Sequence, residues 1–394
     1  MNLEFEFWWL LILPLFFALG WVAARVDIKQ LLSESSALPA AYFKGLNFLI
    51  SNQNDKAVEA FSEAVEANTD SLELHFALGS LFRRTGETDR AIHMHLNLLD
   101  KKELSDGQRN AVKAELAQDY LKAGLFDRAE ELYKTLDDKR YQQAALRALQ
   151  EIYVREREWA NAITSATELE RLSGVPFRTE IGQYYCELAA VANTKQQTDA
   201  SRSYLLQALD ANKQCVRANI MLGDLETDAG NQQAAIEYWK QVETQQADYL
   251  GLVAKKLLKS YTAMGKSKEG LDLLSEHLEQ YQSPTVMQVL YEATLSEEGA
   301  ASAAKLARNE LIRKPSLQTL DQLLQARAMA DDANQQDIQL MQQTVRNAIG
   351  NRAAYHCGQC GFRAKQYHWQ CPACNAWESL PAEPSDHIQR THLS

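Results

Sequence analysis

The sequence predicts an all-α protein: a solenoid of helical hairpins behind an N-terminal transmembrane helix, ending in a small four-cysteine metal knuckle. Three observations carry this prediction. The eighteen residues from Phe7 to Ala24 hold no charge. Small and large residues then recur at a 34-residue period through most of the chain. Near the end, Cys357, Cys360, Cys371 and Cys374 form two Cys-x-x-Cys pairs separated by ten residues.

The bulk composition agrees. At 394 residues the chain exceeds an ordinary single domain. A hydrophobic fraction of 46% is enough to build a core, so disorder does not dominate. Only 17 Gly and 8 Pro are present, which fits long helices better than many short strands. The formal charge of −11 opposes phosphate contacts and excludes nucleic acid as a partner. The surplus acid reads as a solvated face, with a groove for a basic segment as the alternative.

As a helix, Phe7–Ala24 would span ~27 Å, close to a bilayer core of ~30 Å. Trp8, Trp9 and Trp21 lie near its ends, where amphipathic rings favour the interface. A cleaved signal peptide would begin with Lys or Arg, whereas this chain has Glu4 and Glu6. A buried core helix is the other alternative, and an unbroken apolar terminus of this length argues against it. Arg25 and Lys29 follow the span and no basic residue precedes it, so the bias of positive residues sets the N-terminus outside. The expectation is a single-pass bacterial inner-membrane protein with a periplasmic N-terminus and a cytoplasmic bulk. A reducing compartment also suits four closely spaced thiolates. The expected organisation is an anchor over 1–26, a linker over 27–37, repeats over 38–350, a knuckle over 351–381 and a tail over 382–394.

The repeat opens with Gly45, Phe48 and Ala57, which return as Gly79, Phe82 and Ala91, then with a small insertion as Ala117, Tyr120 and Ala129. Later copies carry Tyr153 and Ala162, Ala189 and Ser201, Gly223 and Ala235, Tyr261 and Gly270, and Leu295 and Ala304. Small residues on two successive helices let them approach closely. Phe61, Tyr133 and Trp239 supply bulk beside them. Gly86, Gly124, Gly230 and Gly265 stand where a first helix must stop. Asp89 and Asp127 suit the start of the next helix. By period and pattern this resembles the tetratricopeptide repeat, over about 38–316 and roughly eight units. An irregular helical bundle is the alternative that the recurrence disfavours. The pattern weakens at Gln150, Leu258 and Glu292, and 317–350 reads as helix without a unit assignment.

Such a solenoid presents a binding surface and carries no catalytic centre of its own. No phosphate loop, metalloprotease helix or nucleophile elbow occurs, so the expectation is a non-enzyme. His75, His93, His95 and His277 lie on predicted helices without a ligand constellation and read as packing or surface residues. Cys186 and Cys215 read as buried thiols.

The knuckle differs. Two Cys-x-x-Cys turns close a tetrahedron from Cys357, Cys360, Cys371 and Cys374 around one ion, Fe or Zn. The phrases CGQCGF and CPACNAW resemble rubredoxin-type and zinc-ribbon knuckles. Gly361 and Asn375 follow each second cysteine, where a left-handed turn is needed. Tyr355, Phe362, Tyr367, Trp369 and Trp377 supply the bulk of a module that otherwise has little core. His356 and His368 are near, but the ligand set is already complete.

An outward N-terminal anchor, tetratricopeptide repeats and a C-terminal rubredoxin-like knuckle resemble the lipopolysaccharide assembly protein B family of Gram-negative bacteria. The stretches KGLNFLISNQNDKAVEAF, LGSLFRRTGETDRAI and DYLKAGLFDRAEELY carry the resemblance with the knuckle. It implies an adaptor that promotes degradation of the LpxC deacetylase by the membrane protease FtsH. It also implies contacts with other lipopolysaccharide synthesis or transport proteins at the inner membrane. A general membrane-tethered scaffold is the alternative, and a rubredoxin-type electron-transfer protein a more distant one. The residues place the knuckle either as a cap on an open solenoid end or as a floor to its groove.

Overall fold

The computed structural model describes residues 40–67, 71–330, 335–350 and 354–384. The expected anchor, its linker and the last ten residues lie outside them. Among the described residues no helix is long and apolar enough to cross a membrane. The chain divides into two compact units, 1–152 and 153–394.

The first unit contains α1 (Ala40–Ile50), α2 (Asn54–Ala67), α3 (Leu72–Thr85), α4 (Thr88–Leu99), α5 (Asp106–Ala123), α6 (Phe126–Lys134) and α7 (Lys139–Glu156), which runs through the boundary. Side-chain caps start α3 and α5: Ser71 accepts from the Leu74 amide, and Ser105 with Gln108 forms a capping box. Glycines end them. Gly86 and Gly124 sit at φ 85° and 77°, as the sequence pattern requires. The Gly86 and Glu87 amides close back on Arg83 and Phe82.

The second unit contains α8 (Trp159–Ser173), α9 (Arg178–Thr194), α10 (Thr198–Ala211), α11 (Val216–Asp228) and α12 (Gln232–Gln245). A 3₁₀ turn (Ala247–Leu252) leads to α13 (Ala254–Ala263), α14 (Ser267–Tyr281), α15 (Pro284–Glu297), α16 (Ala300–Arg313), α17 (Leu317–Met329) and α18 (Gln335–Gly350). Residues 317–350, unassigned by sequence, are thus two further helices packed on each other. Two short antiparallel strands, β1 (Tyr355–His356) and β2 (Arg363–Ala364), belong to the knuckle.

The small/large pattern has a simple geometry. At Gly45, Gly79 and Gly223 a ring sixteen residues on lies over the small residue of the first helix. A Cβ at Gly45 would come within 2.8 Å of the Phe61 ring, and Cβ atoms at Gly79 and Gly223 would overlap the rings of His95 and Trp239. Trp239 is 1% exposed, and its indole N–H donates to the Ile220 carbonyl at 3.1 Å. Gly223→Ala should therefore cost roughly 1–3 kcal/mol by overpacking. Chemical denaturation should register this as a lower midpoint. In the seventh hairpin only the second helix keeps its small residue: Leu258 stands on the first, and a Cβ at Gly270 would come 3.0 Å from Tyr261.

Buried polar groups replace apolar packing at two histidines. His95 is fully buried, with Nδ1 2.5 Å from the Asp119 carboxylate, itself fully buried. Arg83 pairs with Asp119 and Glu115 at 2.6 Å each. His277 meets Glu243 through Nδ1 at 2.7 Å. The histidines thus pack, as expected, but with carboxylate partners.

Candidate metal centre and its seat on the repeats

Each knuckle turn is built alike. The Gly361 amide donates to the Cys357 carbonyl and the Asn375 amide to the Cys371 carbonyl, both at 2.9 Å. The Cys357 amide donates to Phe362 and the Cys371 amide to Ala376. Gly361 at φ 73° and Asn375 at φ 58° take the left-handed conformation that turns the chain back. Side chains of the two cysteine pairs converge. All four sulfurs lie within 4.8 Å of one another, with Cys357–Cys374 and Cys360–Cys371 at 3.7 Å. A tetrahedral ion with metal–sulfur bonds of ~2.3 Å needs sulfur–sulfur edges of ~3.8 Å, so the donor set fits one ion. Ser379 lies 3.3 Å from the Cys357 sulfur and draws that thiol down, while the crowding of neighbouring sulfurs pushes Cys360 and Cys374 up.

The knuckle is not a free appendage. Trp377 meets Trp159 and Tyr184 edge-on at 6.3 and 6.2 Å, while Trp159 and Tyr184 stack at 5.8 Å. On the other side Trp369 stacks on Tyr249 at 5.7 Å, and Tyr367 meets that ring edge-on. The Arg217 guanidinium lies 5.9 Å from the ring centres of both Trp369 and Trp377. It also pairs with Glu187 at 2.8 Å and donates to the Gln183 amide oxygen at 3.1 Å. Gln183 in turn donates to the Glu378 carboxylate at 2.7 Å. Burial pushes the Glu378 carboxyl above its usual range.

The chain after the knuckle continues the contact. Leu380 and Ala382 are buried, Ala382 within the apolar core of the repeats. Glu383 accepts from the Ser283 and Thr285 hydroxyls and from the Thr285 amide, at the positive N-terminal end of α15. A Cβ at Gly251 would come 2.7 Å from Glu383 Oε1, so the glycine makes room for the carboxylate.

A single rule unites this seat. Gln183, Arg217, Gly251 and Thr285 are spaced by 34 residues. One position of the repeat, in four successive units, meets the knuckle or its strap. Sequence left the knuckle as a cap on an open end or a floor to the groove; the structure seats it on α9, on the start of α11, on the 3₁₀ turn and, through Glu383, on the start of α15.

Comparison with known proteins agrees with both parts. Residues 355–382 match a family model described as a rubredoxin metal binding domain. Residues 44–101 and 188–249 match the tetratricopeptide repeat. Lipopolysaccharide assembly protein B of Escherichia coli strain K12 is 30% identical over 374 residues, covering 94% of this chain and 96% of that protein. The protein of the same name from Haemophilus influenzae strain Rd is 30% identical over 391 residues, covering 96% and 98%. The chain belongs to the lipopolysaccharide assembly protein B family.

In this member of the lipopolysaccharide assembly protein B family, the structure brings together all four cysteines read from the sequence. It leaves His356 and His368 outside the sulfur cluster. It adds residues that motif reading passed over: Gln183, Arg217, Gly251, Thr285, Glu378 and Glu383. Their signal was present as spacing, since the first four share a repeat position.

Proposed function

We propose that this protein is a non-enzymatic adaptor in lipopolysaccharide assembly, one that promotes degradation of the LpxC deacetylase by the membrane protease FtsH. The observation that carries the reading is similarity to lipopolysaccharide assembly protein B across almost the whole chain. The architecture supports it. Paired helices offer side-chain surface for partner proteins. Cys357, Cys360, Cys371 and Cys374 hold one Fe or Zn ion, which ties the two turns together and keeps Trp369 and Trp377 in their seat. The apolar span Phe7–Ala24 anchors the chain in the inner membrane, with the N-terminus in the periplasm and the repeats in the cytoplasm. Sharing a membrane raises the effective concentration of adaptor and protease for each other. Other lipopolysaccharide synthesis or transport proteins are further partners of the same surface.

The test is the lifetime of the deacetylase after protein synthesis is blocked. Deleting this protein should lengthen that lifetime severalfold and raise lipopolysaccharide. An unchanged lifetime would remove the proteolytic role and favour a general membrane-tethered scaffold. A version lacking residues 1–26 should behave like the deletion, while an unrelated outward-facing span in their place should restore much of the activity.

A further inference from the structure

Cys186 in α9 and Cys215 at the N-cap of α11 are both fully buried, and their sulfurs stand 3.7 Å apart. Neither belongs to the knuckle's sulfur cluster. Their neighbours are apolar: Ala189, Leu205, Ala208 and Leu222. Gly182 leaves space beside Cys215, where a Cβ would come 3.6 Å from its sulfur. The pair also lies beneath the seat. Cys186 is one turn beyond Gln183, and Cys215 is two residues before Arg217, the two side chains that grip Glu378 and the tryptophans.

We propose that Cys186 and Cys215 form a disulfide when the protein meets a small peroxide, joining α9 to the start of α11 under the knuckle. A disulfide needs sulfurs ~2.05 Å apart, so the two sulfurs must close by ~1.7 Å, within the reach of side-chain rotation and a small helix shift. The two thiols are not equivalent. A hydrogen bond from Cys186 and then the Ala218 amide at the head of α11 lower the Cys215 thiol, while the same partnership and burial raise Cys186. Cys215 is thus the attacking thiolate. It takes one oxygen of hydrogen peroxide, the O–O bond breaks, and hydroxide leaves. That hydroxide accepts the Cys186 proton as water. The Cys186 sulfur then attacks the sulfenic sulfur of Cys215, the S–S bond forms, and the S–O bond breaks to release hydroxide, which becomes a second water by taking up the proton first lost from Cys215. Two thiols and one peroxide give one disulfide and two waters. Full burial restricts the co-reactant to a small neutral molecule of this kind. The bond would fix the spacing of the two helices that carry Gln183 and Arg217.

The experiment uses the full-length, metal-loaded protein in detergent, treated with hydrogen peroxide at a dose that oxidises half of the exposed Met341. It is then denatured in N-ethylmaleimide and mapped by peptide mass. The expected result is a Cys186–Cys215 linked peptide, lighter by two hydrogens, with neither residue alkylated. Cys215→Ala should give no linked peptide and leave Cys186 alkylated. The proposal is overturned if both wild-type residues remain fully alkylated at that dose. It is equally overturned if either is found bonded to a knuckle cysteine or carried on to a sulfinic or sulfonic acid.

Discussion

Cys371→Ser should abolish metal binding and release residues 355–384 from the repeats. Cys371 is fully buried, and its amide and carbonyl both close the second turn. Two strands of two residues each and four buried residues, Cys357, Ala364, Cys371 and Leu380, make up the rest of the knuckle's own core. So small a core cannot hold a fold unaided. Structural zinc supplies roughly 10–16 kcal/mol in comparable peptides, and losing one of four ligands forfeits most of it. The hairpins keep their own packing of small residue against ring, so the helical circular dichroism should change little. Elemental analysis should find no Fe or Zn in the variant and about one ion per chain in the wild type. A variant that retains a full ion would refute the four-cysteine ligand set.

Arg217→Ala should leave the ion in place and still unseat the knuckle. The guanidinium is the shared partner of Trp369, Trp377, Gln183 and Glu187, and its side chain is only 13% exposed. Removing one member of a largely buried charged pair costs ~3–5 kcal/mol, because the remaining groups lose their compensation. At 1.4 kcal/mol per tenfold, 3 kcal/mol moves a docking equilibrium by roughly a hundredfold. Arg217→Lys should recover only part of the loss, since a compact ammonium cannot serve two rings and two oxygen acceptors at once. Intrinsic tryptophan fluorescence of the metal-loaded variant should report greater solvent exposure. An emission spectrum identical to wild type would mean that the guanidinium does not hold the seat.

Much of the fold was legible because the repeat states its own geometry. Gly45, Gly79 and Gly223, each with a ring sixteen residues on, give the close approach of paired helices directly. The four glycines after first helices mark left-handed caps, and all four have positive φ. The knuckle was legible because metal ligation tolerates so few residue types at so few spacings. Its seat was not. Gln183, Arg217, Gly251 and Thr285 share a position but no chemistry, so a search for repeated residue types passes over them. Each acquires a role only once the knuckle's Glu378, Trp369 and Trp377 and the strap's Glu383 are folded against it. The strap itself, read as a nameless tail from Ala382, is short and without motif. Its meaning lies in one carboxylate at the head of a helix. The Arg83–Asp119–His95 network escaped for a related reason. Its members lie on three helices, and the histidine occupies a position that neighbouring repeats fill with Phe61 or Tyr133.

One repeat position in four successive units seats the metal knuckle, so that metal, knuckle and repeat flanks should open as one cooperative body. Amide hydrogen exchange, followed before and after a chelator strips the full-length protein, separates one cooperative body from a loosely attached knuckle. Protection should be lost together, at one rate, in residues 355–384, in the first turns of α11 and α15 and in the 3₁₀ turn around Gly251. Loss of protection confined to the knuckle, with those flanks unchanged, would mean that the ion does not hold the seat.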